Sequence, residues 1–195
     1  MNLTTRIFST ALALLALNAA SVSSGQHGDE SDSAIDGIER KLETGSHGQL
    51  LTRISTTDVA IDPFTTDGCS GGLSLAWERL SDRFPEFANG HGNRPPWEEC
   101  CIAHDQRYHA GGASAVSAID SFEQRRDADQ QLKACVVKTG VERSSALQND
   151  YQLSEKQIEV LYQTIADLMY RAVRLGGMPC TDQSWRWGYG WPKCG

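Results

Sequence analysis

Apolar positions divide the chain into an apolar run, a polar stretch and a set of amphipathic helices. From Ile7 to Ala20, just after Arg6, the first segment is almost continuously apolar, and small residues follow through Gly25. A cation, a short apolar run and a small-residue exit make the pattern of a secretory signal peptide, whereas a membrane span needs about 20 apolar residues in succession. Residues 1–24 are therefore expected to be a signal peptide, cut between Ala19 and Gly25. Residues 25–58 are rich in Gly, Ser, Thr and acids and poor in large apolar side chains. That is the composition of a polar linker or pro-segment, with room for a short helix around Ile35 to Leu42. One compact domain is expected over 59–195.

Within that domain the strong periodicities are helical. The segment "SEKQIEVLYQTIADLMYRAVRLGG" opens with Ser154 and Gln157 at capping-box spacing and closes on Gly176-Gly177. Ile158, Leu161, Ile165, Leu168 and Ala172 recur at helical intervals, so this is a long amphipathic helix laid on a core. A second helix is predicted over 96–110. Pro96 sits where an N-terminus tolerates it, Glu98 and Glu99 suit the positive end of the dipole, and Gly111-Gly112 forms the stop. A third is predicted over 120–138, ending before Gly140. Strand signals are sparse, and the fold class is all-α.

Six cysteines, Cys69, Cys100, Cys101, Cys135, Cys180 and Cys194, all lie beyond the expected cut. An even set in an oxidising compartment is read as disulfides, so the helical domain is expected to be disulfide-stapled. Six cysteines admit about 15 pairings, and their number does not choose among them. The compartment is extracellular or periplasmic, that is, secreted. A net charge of −7 disfavours nucleic acid as a partner and opposes tight binding to strongly anionic membranes.

The chemistry concentrates in "PPWEECCIAHDQRYHAGG", residues 95–112. On the predicted helix Cys101, His104, Asp105 and Tyr108 follow the i, i+3, i+4, i+7 rule and share a face, with Cys100 one turn before His104. His109 lies off that face and is expected in solvent. The next helix offers Asp127, Asp129 and Cys135 in "RRDADQQLKACVV". Were the two helices antiparallel with Cys100 opposite Cys135, His104 and Asp129 would stand roughly 6 Å and 9 Å from those cysteines along their axes. Side chains absorb that mismatch, and a carboxylate reaches the imidazole. Asp127 rivals Asp129, because a small change of register favours it. A zinc module of Cys100, Cys101, His104 and His109 competes for the same residues, but adjacent helical cysteines reach one tetrahedral ion poorly, and secretion oxidises them.

The segment "CCIAHDQRY" resembles the catalytic helix of the secreted phospholipase A2 family, whose pattern is Cys-Cys-x-x-His-Asp followed closely by tyrosine. Upstream, "DGCSGG" is similar to that family's calcium loop, and Asp129 precedes Cys135 at the spacing of the family's second aspartate and helix cysteine. The resemblance covers residues 67–135. It implies a core of two antiparallel helices with a calcium loop, to which the long amphipathic helix of the C-terminal half is added. It implies disulfides Cys69–Cys101 and Cys100–Cys135, leaving Cys180 with Cys194. It further implies His104 as general base, Asp129 as its orienting partner and Tyr108 as a support near Asp129. Ca²⁺ would be held by the Asp105 carboxylate and the backbone carbonyls of Gly68, Ser70 and Gly72.

The chain departs from the family in several places. Arg107 and Ala128 stand where most animal members carry a bonded pair of cysteines. Ser70 replaces a loop glycine, and the connector between loop and helix is longer than usual. The C-terminal segment with Trp185, Trp187 and Trp191 has no counterpart, and these tryptophans are expected to pack around a local disulfide rather than meet lipid headgroups.

The activity implied is calcium-dependent hydrolysis of glycerophospholipid acyl esters at a membrane or micelle surface. A neutral imidazole takes a proton from water as it attacks the ester, and a carboxylate on its other nitrogen fixes the tautomer. Ca²⁺ prefers oxygen ligands of the kind "DGCSGG" and Asp105 supply, and it stabilises the oxyanion. The alternative is a secreted binding or toxin-like protein that keeps the scaffold without turnover.

Overall fold

The computed structural model describes residues 28–56, 58–69, 73–84 and 92–194. Among them the chain is all-helical, with α1 (Gly28–Thr56), α2 (Leu73–Arg83), α3 (Glu98–His109), α4 (Ala118–Tyr151) and α5 (Glu155–Gly176), and no strand. The expected signal peptide lies outside the described residues. No described helix is long and apolar enough to cross a membrane.

Helix α4 is the spine, packing against α5, α1 and α3. Ser117 caps it by accepting from the Asp120 backbone N–H. Its 34 residues extend well past the expected stop at Gly140. A glycine inside a helix costs about 1 kcal/mol relative to alanine. Here a Cβ at Gly140 would meet the Tyr162 ring of α5 at 2.4 Å, so the glycine serves close helix packing rather than termination.

Helix α5 has the expected capping box, with Ser154 Oγ accepting from the Gln157 N–H and the Gln157 side chain accepting from the Ser154 N–H. Its buried face is rotated from the expected one. Ile158, Tyr162, Ala166 and Met169 are buried, while Leu168 is 60% exposed and Ala172 is exposed. The aromatic ring of Tyr162, seated against Gly140 and edge-on to Trp97, decides which face points inward.

The expected linker is instead helix α1. Its inward positions Glu43, His47 and Leu50 lie one turn apart, and all three are buried. Glu43 meets Arg125 and Arg174 from α4 and α5, and His47 Nδ1 shares a 2.8 Å hydrogen bond with Ser121. Polarity at Glu43 and His47 marks buried pairing, while Arg40, Lys41, Gln49 and Arg53 face solvent, so the packed body begins well before residue 59.

Three disulfides join Cys69 to Cys101, Cys100 to Cys135 and Cys180 to Cys194, and no cysteine is free. Zinc thiolate ligation is thereby excluded in this state. The C-terminal segment folds back on the end of α3. Trp187 donates through its backbone N–H to Gly177 O, through its indole to Ser121 Oγ, and stacks edge-on to Tyr108. Its partners thus belong to α3, α4 and the C-terminal cap of α5, beyond the local disulfide. Part of the long connector is helical too: Trp77 of α2 packs edge-on to Trp97 and donates to Gly92 O.

Candidate active site

Contacts between α3 and α4 run in opposite directions along the two helices. Cys100 bonds Cys135, His104 meets Asp129, Arg107 meets Asp127, and Tyr108 meets Arg125. The pair is antiparallel in the register that favours Asp129. Asp127 is half-exposed and tied to Arg107 at 2.7 Å.

At the centre, His104 Nε2 donates to Asp129 Oδ1 at 2.8 Å. An ionised carboxylate only accepts, so Nε2 carries the proton and a neutral ring keeps its lone pair on Nδ1. On that second side the nearest charged group is Asp105, with Oδ1 3.9 Å from Nδ1, too long for a hydrogen bond but close enough for its charge to act. Burial disfavours the imidazolium, yet the flanking Asp105 and Asp129 carboxylates outweigh it and hold the pKa of His104 above its ordinary value. A cation on Asp105 would cancel part of that effect.

Asp129 is fully buried, and both of its oxygens are used. Oδ1 also accepts from the Tyr108 hydroxyl at 2.7 Å, and Oδ2 accepts from Arg174 Nη1 at 3.0 Å. Tyr108 in turn accepts from Arg125 Nε at 3.0 Å. Burial, then the charge of Asp129, raises the Tyr108 pKa well above its ordinary value, so the phenol stays protonated.

On the open side, Asp105 Oδ2 accepts from Thr66 Oγ1 at 2.5 Å, and the same hydroxyl accepts from the Gly68 N–H at 3.0 Å. Gly68 has φ +73°, a backbone conformation that favours glycine, and the Glu98 carboxylate lies 2.0 Å from where a Cβ would stand. Burial, then the charge of Asp105, raises the pKa of Asp67. Three carboxylates, those of Asp67, Asp105 and Glu98, therefore converge on this turn. Ser70 and Gly72 lie outside the described residues. Among the described residues, no three His, Cys, Asp or Glu side chains gather as a metal site.

No protein-family model, curated protein or solved structure matches this chain. What the structure brings together is His104, Asp129, Tyr108 and Asp105, with Gly68 one hydrogen-bonded step beyond through Thr66. It also brings in Arg125, Arg174, Glu39 and Glu43, which sequence reading passes over. One signal was available: Arg125 stands one turn before Asp129, on the face that continues to Leu132 and Val136. His109, expected in solvent, is buried between Phe64, Tyr189 and Gly190 and lies outside the group.

Proposed function

We propose that the chain is a secreted, calcium-dependent hydrolase of glycerophospholipid acyl esters, of the phospholipase A2 type. The observation that carries this is the two-sided environment of His104: Nε2 fixed on buried Asp129, and Nδ1 turned toward Asp105. In this reading Nδ1 takes a proton from water while the water oxygen adds to the ester carbonyl carbon. The tetrahedral adduct then expels the lysophospholipid alkoxide, which takes the proton back from the imidazolium, leaving the fatty acid. Asp129 holds the ring's tautomer and stabilises its cationic form, as an orienting carboxylate does in other histidine bases.

Calcium fits the donors present, which are oxygens: the Asp105 carboxylate, the neighbouring Asp67 carboxylate, and the Gly68 turn. Asp105 and the Gly68 backbone would hold it, with Ser70 and Gly72 as further carbonyl ligands. When bound, the ion supplies Lewis-acid stabilisation of the developing oxyanion. Three disulfides and the absence of free thiols accord with an oxidising compartment.

Fatty-acid release from mixed phospholipid vesicles, with Ca²⁺ and with excess chelator, tests the reading. Release that requires Ca²⁺ is expected. Full-rate release in chelator overturns the mechanism, and calcium binding without any release favours the non-catalytic scaffold.

A further inference from the structure

The Asp129 carboxylate belongs to a closed ring of buried side chains that crosses three helices and the N-terminal segment. Asp129 Oδ1 accepts from Tyr108, whose oxygen accepts from Arg125 Nε. Arg125 Nη1 donates to Glu43 Oε2, and Glu43 Oε1 accepts from Arg174 Nη2 at 3.1 Å. Arg174 Nη1 closes the ring on Asp129 Oδ2 at 3.0 Å. Glu43, Asp129, Arg125 and Arg174 are all at least nine-tenths buried, so two anions balance two cations away from water. Glu39, at the ring's edge, accepts from Arg174 Nη2 at 2.9 Å.

Directionality follows from the donors. Arginine only donates, so Arg125 obliges the Tyr108 hydroxyl to point its proton at Asp129. Each arginine is planar, and Glu43 spans both; together with the Val173 and Arg174 carbonyls on Arg125 and with Glu39 on Arg174 it sets the planes in which they serve Tyr108 and Asp129. We propose that Glu43 of α1 is a positioning residue for the His104–Asp129 pair, acting through Arg174 and through Arg125 and Tyr108. The proposal deepens the hydrolase reading and rests on it for its kinetic consequence. It also makes residues 28–56 part of the working site, since this segment supplies both Glu39 and Glu43.

The test uses the full chain and two readouts, hydrolysis of phospholipid vesicles and the downfield NMR signal of the His104 Nε2–H in its hydrogen bond to Asp129. Glu43→Gln should lower kcat about tenfold to a hundredfold with KM little changed, and should move or broaden that signal. Glu43→Asp should restore part of both, and Glu39→Gln should change them less. Because Glu43→Gln leaves two buried arginines short of an anion and lowers folding stability, a charge-balanced Glu43→Met/Arg174→Leu variant provides the second arm and should show the same loss. Parental kcat and an unmoved signal in either folded variant overturn the proposal. A signal that moves in a parent that hydrolyses nothing leaves the positioning role standing and removes the hydrolase reading instead.

Discussion

The two sides of the His104 ring are built differently. Behind Nε2, every polar atom of Asp129 is engaged by Tyr108, Arg174 and the histidine itself, and the carboxylate is shut off from water. In front of Nδ1, Asp105 is held by a threonine hydroxyl on a loop, and the next carboxylate, Asp67, crowds it with like charge. The rear is satisfied and over-determined; the front gathers like charge around a single hydroxyl donor. A buried network of the first kind stabilises and orients, because breaking it strands a charge, whereas a site of the second kind gains by binding a ligand. Variants on the two sides should therefore fail in different assays.

The largest effect is expected at the ring between them. His104→Asn should cut hydrolysis by about a hundredfold to ten-thousandfold, the span of a general base, while calcium binding and helical content persist. Measured activity above a few per cent of the parent would remove His104 from that role.

Behind the ring, Arg174→Met removes the cation that Asp129 and Glu43 share, and urea unfolding should show a loss of about 3–5 kcal/mol. A change near zero would mean that the rear network is not what holds α5 to α1 and α4.

In front of the ring, Asp105→Asn should lower calcium affinity and hydrolysis together by about tenfold or more, with stability changed by only about 1 kcal/mol, since the Thr66 hydrogen bond survives. Calorimetric titration with Ca²⁺ that matches the parent would separate Asp105 from the ion.

Acid should act on the rear. Burial opposes ionisation of Glu43, but His47, Arg125 and Arg174 prevail and hold its pKa below the ordinary 4.5. Stability from this carboxylate is present above about pH 4.5 and is lost as pH falls through the lower native value. His47, buried and held below 6.5, adds to the loss because unfolding lets it take up a proton. Thermal unfolding followed from about pH 6 to pH 3 should fall steeply in the parent and less steeply in Glu43→Gln. Equal slopes would place the acid sensitivity elsewhere.

The smallest effect is at Asp127. Its pair with Arg107 is exposed, and Asp127→Asn should leave stability within about 0.5 kcal/mol and activity unchanged. A large loss of hydrolysis would revive Asp127 against Asp129.

Part of the geometry around His104 was legible in the sequence. The i, i+3, i+4, i+7 spacing of Cys101, His104, Asp105 and Tyr108 is a local property of one helix, and all four are buried residues of α3. The capping box at Ser154 and Gln157 is equally local. Where a choice depended on a neighbour, sequence pattern was a poorer guide. Gly140 reads as a stop until Tyr162 is seen lying on it, and Leu168 reads as core until Tyr162 and Met169 fill the space.

By itself the sequence determined the all-α class, the disulfide chemistry and the face on which His104, Asp105 and Tyr108 stand, because each follows from residue type and helical period within a short segment. Tertiary structure alone decided that Asp129 rather than Asp127 meets the histidine, since the two differ only in which side of α4 faces α3. It alone turned an acidic stretch into helix α1, because Glu39 and Glu43 have their partners 135 and 131 residues away at Arg174. A charge bound for solvent and a charge bound for a buried arginine look the same in a sequence; the difference is the distant cation, and only the fold brings it near.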